Sequence, residues 1–138
     1  MKAYETPIFW SVSKLFPGLL VRILEERGEL DVSLPIEVYL KRLSTSAFAG
    51  VMVRNLLDMA SGLDCGDEYQ LQNSCYYQYS IAIGDGFWHE GGARDPYVYL
   101  ATLNVERIQG QVFSYCGVNT FIWPGWWRRL LASARQSG

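Results

Sequence analysis

The chain has 138 residues, 49% of them apolar and 19% charged, with a net charge of −2. That composition describes one globular domain with a core of its own and excludes a disordered segment. The near-neutral balance excludes a general nucleic-acid binder, which needs a basic stripe, and no apolar run is long enough to span a bilayer.

Met1-Lys2-Ala3-Tyr4-Glu5 leads into no apolar signal-peptide core, so the expected compartment is the cytoplasm. Pro7-Ile8-Phe9-Trp10-Ser11-Val12 reads either as a short extended segment or as the lead into a helix. After Pro17, the spacing of Leu19, Leu20, Ile23 and Leu24 predicts a helix over Gly18–Arg27, ended by Gly28. Ser33 before Leu34-Pro35 is an N-cap candidate, with Glu37 suited to the helix dipole, for a helix running to about Leu43. Ser44-Thr45-Ser46 then breaks that helix or caps another, Ala47–Ser61, ended by Gly62. Phe48, Met52, Val53, Leu56, Met59 and Ala60 make this second helix apolar over half its circumference, as expected of the main helix on a sheet.

The sheet is expected from three segments. Asn73–Ile83 alternates Cys75, Tyr77, Tyr79, Ile81 and Ile83 against Tyr76, Gln78, Ser80 and Ala82. Tyr97–Glu106 repeats the pattern, and Gln111–Ile122 follows a turn at Arg107-Ile108-Gln109-Gly110. Alternation in tyrosine and β-branched residues is the sign of half-buried strands. A last helix is predicted over Pro124–Gln136. The expected fold class is therefore α+β in a single domain. A helical part at about 8–61 and a C-terminal helix at about 124–136 pack on a three- to four-stranded antiparallel sheet at about 69–122.

Cys65, Cys75 and Cys116 form no C-x-x-C pair. In a meander, Cys75 and Cys116 lie two strand spacings apart, roughly 9–10 Å, too far for a disulfide, and both read as buried free thiols. A zinc set of these cysteines with His89 has long, irregular spacings, so neither metal nor cofactor is expected. The acidic neighbours Asp64, Asp67 and Glu68 raise the Cys65 thiol pKa and argue against a nucleophile there.

No Ser-His-Asp order, H-E-x-x-H or glycine fingerprint is present. The connection Gly84–Asp95 is long for a hairpin and holds His89, the one histidine, with Glu90, Arg94 and Asp95 as the catalytic candidates. The plainer reading, a solvated turn, is favoured. Trp88, Trp123, Trp126, Arg128 and Arg129, together with acidic Asp64, Asp67 and Glu68, are candidates for binding a partner. The preferred function is a non-catalytic domain that docks on and modulates another protein, of the inhibitor, immunity or anti-defence type. A homodimer is also open, and neither nucleic acid nor membrane is expected as partner. The alternative is a small hydrolase or transferase with its site in the Gly84–Asp95 loop. A third reading is a ligand-binding module with Tyr77, Tyr79, Tyr97 and Tyr99 around an aromatic cavity.

Overall fold

The computed structural model describes residues 9–66, 68 and 70–122, which fall into two compact units divided between Leu30 and Asp31. The helix expected over Pro124–Gln136 lies outside the described residues, and with it Trp123, Trp126, Arg128 and Arg129. Asp67 lies outside them as well. No described helix is long and apolar enough to cross a membrane.

The first unit is one helical rod. A 3-10 helix, Trp10–Lys14, runs directly into α1, Leu15–Glu26. Pro17 stands in the first turn of α1, just after the change from 3-10 to α-helix, where its fixed φ suits the helix. The end is sharp. Gly28 takes φ +70°, its N–H donates to Glu25 O, and the Glu29 N–H donates to Leu24 O. This pair of bonds satisfies two terminal carbonyls and is why glycine stands there.

The second unit contains α2 (Ile36–Tyr39), a 3-10 turn Lys41–Leu43, α3 (Val53–Leu57), α4 (Cys75–Ala82) and α5 (Pro96–Leu100). Its core gathers Ile36, Leu43, Phe48, Val53, Leu56, Leu100, Val118 and Ile122, each at most 1% exposed. Two isolated antiparallel bridges, Pro35 with Met52 and Leu63 with Val105, are the only extended pairings among the described residues.

The antiparallel sheet of the α+β expectation is therefore replaced by helices and turns. Ser74 caps α4 by accepting from the Tyr77 N–H at 3.2 Å, and Asp95 caps α5 by accepting from the Tyr97 N–H at 2.7 Å, with Pro96 at N1. A good cap decides a short segment whose pattern fits strand and helix alike. Tyr79, Ser80, Ile81 and Ala82 are consecutive and all buried, so α4 is covered on several sides and shows no helical stripe. The third expected strand is irregular up to a helical turn at 118–122.

The helix expected over Ala47–Ser61 shrinks to α3, because Gly50 has φ +78° and its N–H is held by both carboxylate oxygens of Glu37, at 2.9 and 3.0 Å. Ser33 does not cap α2. Its N–H and hydroxyl both donate to Asp31 Oδ1, which holds that carboxyl below the usual range, and Pro35 takes the cap position.

Residues 103–114 act as a belt across 50–64. Asp64 N–H donates to Asn104 O, Glu106 and Arg107 N–H to Gly62 O, Gly110 N–H to Ala60 O, and Ser114 N–H to Met59 O. Gln109 fastens the middle: its Oε1 accepts from Met52 N at 2.9 Å and Asn55 Nδ2 at 2.7 Å, while its Nε2 donates to Gly50 O at 2.6 Å. α4 and α5 share Phe121, which meets the Tyr79 ring edge-on at 5.3 Å and the Tyr97 ring at 6.4 Å. Tyr79 and Tyr97 thus pack on Phe121, and the Tyr99 OH donates to Cys75 O at 3.2 Å. Burial, and then nearby Cys116, pushes the Tyr99 hydroxyl up to about 12.

Cys75 is no buried free thiol. At the first position of α4 it is bonded to Cys65, with Cα atoms 5.0 Å apart, and Cys116 is the buried free cysteine. No group of three metal-ligating side chains stands among the described residues.

Two predictions follow from the turns and the bridge. A Cβ on Gly62 would collide with Arg107 O at a φ of +77°, whereas one on Gly28 meets nothing. Gly28→Ala should cost about 1 kcal/mol from the left-handed backbone alone, and Gly62→Ala roughly 3 kcal/mol or more, read by urea unfolding. Equal losses would contradict the belt. Thiol titration in denaturant should count one cysteine of the three without reductant and all three after it. Three free thiols before reduction would remove the bridge.

Candidate active site

Among the described residues, the candidates of the Gly84–Asp95 loop make separate contacts. His89 Nδ1 donates to Glu90 O at 2.9 Å and its Nε2 faces Gln78 Nε2 at 3.4 Å, so neither ring nitrogen meets a carboxylate. Asp95 caps α5, and the Arg94 guanidinium lies 4.1 Å above the Trp88 ring. Of the candidates for binding a partner, Trp88 is about half exposed. Asp64 and Glu68 are exposed at the edge of a polar cleft of about 350 Å³ that also reaches Ser74 and Asn104.

A different group stands at the start of the first unit. In the 3-10 helix Trp10–Lys14, the Lys14 Nζ donates to Ser11 Oγ at 2.8 Å. The reason is geometric: a 3-10 helix has three residues per turn, so side chains at i and i+3 eclipse. A serine and a lysine three apart are thus stacked on one edge by the backbone itself. Ser11 is exposed, and Lys14 is half-buried.

The turn is braced from the inside. Ser13 Oγ donates to Trp10 O at 2.6 Å, and Val12 N–H donates to Phe9 O at 3.0 Å. Trp10, the residue before Ser11, has φ +43°, a conformation rarely adopted by a bulky residue. Such strain costs of order 1–3 kcal/mol and concentrates at functional sites. Chemically, a serine hydroxyl in hydrogen-bond contact with a lysine amine has the make-up of a Ser-Lys nucleophilic dyad.

Ser11 and Lys14 are not among the candidates drawn from the residues, which centre on His89 and the cysteines, and residues 1–16 carry no settled element on which to place a motif. The signal was present in Ser11-Val12-Ser13-Lys14, a Ser-x-x-Lys spacing leading into an amphipathic helix. The strain at Trp10 has a direct test. Glycine normally destabilises relative to alanine, but at positive φ the order inverts, so Trp10→Gly should exceed Trp10→Ala in stability by about 1 kcal/mol. Alanine as the more stable variant in thermal melts would contradict that backbone.

Comparison with known proteins now bears on this geometry. The chain is 30% identical over 113 residues to a 6-aminohexanoate-dimer hydrolase of Paenarthrobacter ureafaciens, a match covering 82% of this chain and 29% of that protein. Its fold is similar to the solved structure of a Bacillus anthracis protein provisionally named a 6-aminohexanoate-dimer hydrolase. The TM-score is 0.72 at 21% identity, over 86% of this chain and 32% of the other. The chain thus spans about a third or less of the length of either protein. These findings overturn the reading as an inhibitor or immunity-type docking domain. A family model described as beta-lactamase matches residues 6–121, spanning both the Ser-x-x-Lys turn and the second unit, and the chain belongs to that family.

Proposed function

We propose that this chain carries the acylation centre of a serine hydrolase that cleaves amide bonds, with Ser11 as nucleophile and Lys14 as its base. The observation that supports it is the 2.8 Å contact between Lys14 Nζ and Ser11 Oγ, inside the segment matched to the beta-lactamase family. In class A β-lactamases and penicillin-binding proteins a Ser-x-x-Lys motif supplies the nucleophilic serine. The Ser-Asp-Asn and Lys-Thr-Gly motifs that accompany it there do not occur in these 138 residues, so no role is assigned to them.

The chemistry follows from the pair. Lys14 Nζ takes up the Ser11 hydroxyl proton as Oγ adds to the amide carbonyl carbon. The tetrahedral species collapses, the C–N bond breaks, and the proton passes to the leaving amine. An ester then remains on Ser11. Water, deprotonated by the same amine, adds to the ester carbonyl and releases a carboxylic acid and the free serine. The substrate we infer is a short linear amide, a class suggested by the names of the two related proteins.

The test is acyl transfer from an activated ester, p-nitrophenyl acetate, followed by release of nitrophenolate and by intact mass. The native chain should gain one acetyl group. Ser11→Ala should gain none, and Lys14→Ala should acylate about 10²–10⁴-fold more slowly, the usual contribution of a positioned base. Acylation of Ser11→Ala at the native rate would overturn the assignment.

A further inference from the structure

The first unit carries a wide apolar face. Along α1, Leu15, Phe16, Leu19, Leu20 and Ile23 fall at the three- and four-residue steps that place side chains on one side of a helix. Val12, four residues before Phe16, extends the row into the 3-10 turn. A stripe of that width is what a helix ordinarily turns toward a core. Here it faces water: Leu15 is 71% exposed, Phe16 and Leu19 each 61%, Val12 56% and Leu20 43%. The side of α1 that is buried is a different one, marked by Val21.

Size and charge both bear on what covers this face. Scaled by those fractions, residues of roughly 200 Å² each leave on the order of 500 Å² of apolar surface on one chain. That lies toward the upper end for the largest patch on a monomeric protein, about 300–600 Å². Two such patches set face to face bury about 1,000 Å², the size at which a specific interface begins. Val12, Phe16, Leu19 and Ile23 alternate steps of four and three, the row that interdigitates with a copy of itself when two helices cross at a shallow angle. The charge beside the stripe is matched on the same helix. Arg22 Nη1 donates to Glu25 Oε2 at 2.7 Å, and Arg22 Nε lies 3.6 Å from Glu26 Oε1. Covering the stripe therefore asks for no opposite charge on the partner.

We propose that two copies of this chain associate through the face of α1 formed by Leu15, Phe16, Leu19 and Leu20, helix against helix about a twofold axis. The same patch serves both chains, so the contact closes at two copies and does not grow into a filament. The competing occupants are a membrane surface and a different polypeptide, such as the further length that the two related proteins carry. A helix that lies on a membrane is rich in lysine and arginine beside its apolar face. Arg22 is instead held by two glutamates, and this, with the self-matched spacing, favours the second copy. The pairing does not depend on the hydrolase reading.

The test is sedimentation velocity of the native chain over a concentration series of roughly 1–200 µM, the range in which a small interface dissociates. The mass should rise from 15.7 kDa to a plateau at twice that value. Phe16→Gln and Leu19→Gln should each weaken association about tenfold or more, the usual effect of removing an apolar anchor. Both side chains are exposed and glutamine is a good helix former, so the helical circular dichroism should be retained. A native chain that stays at 15.7 kDa throughout, species that grow past two copies without a plateau, or association that survives both substitutions would overturn the proposal. So would a monomer that binds phosphatidylcholine–phosphatidylglycerol vesicles and loses that binding on Leu19→Gln.

Discussion

The carbonyl of Gly62, accepting from both Glu106 and Arg107, is the contact on which the second unit depends. It brings two backbones closer than any side chain permits, and from it the segment 103–114 is laced along 50–64 by main-chain bonds and by the Gln109 carboxamide. Short helices of four to eight residues have little stability of their own, and here their ends are satisfied by capping side chains and turns. The order of the unit comes from this lacing over a core of Phe48, Leu56, Leu100 and Ile122. The Cys65–Cys75 bridge fastens the entry to α4 in the same way, by shortening a loop.

The serine site follows another logic. It needs no long-range contact to set its spacing, because one 3-10 turn stacks residue i on residue i+3. Ser13 braces that turn through Trp10 O, and the positive φ of Trp10 turns the backbone into it. The reactive pair is thus local in sequence, and the helix that follows continues the turn into a rigid rod ended by Gly28.

Part of this was legible in the residues. The α1 pattern and the glycine that stops it are visible in Leu19, Leu20, Ile23, Leu24 and Gly28, although the helix begins three residues earlier than expected, at Leu15. The strand reading of 73–83 failed because Tyr-rich alternation over a few residues also fits a buried helix, and the Ser74 cap went unweighed. Likewise Asp95, the end of the loop Gly84–Asp95, caps a helix that starts at Pro96, and Gly50 interrupts the helix expected over Ala47–Ser61. The site was missed for a chemical reason. A lone histidine in a glycine-rich loop stands out among the residues, whereas the proposed base is a lysine. The loop around His89 stands out in the residues for its polarity and length, and the structure sets Phe87, Trp88 and His89 beside the carboxamides of Gln72, Asn73 and Gln78, with the imidazole bonded to Glu90 O and not to a carboxylate.

The central claim, a serine activated by the lysine one turn away, has its most direct test in where a covalent probe lands. Ser11 and Ser13 lie on the same turn, but Ser13 Oγ is engaged with Trp10 O while Ser11 Oγ faces Lys14. Peptide mapping of the native protein after labelling with a fluorophosphonate should place the adduct on Ser11, with labelling reduced when Lys14 is replaced by alanine. An adduct on Ser13, or on a serine of the second unit with Ser11 unmodified, would contradict the account.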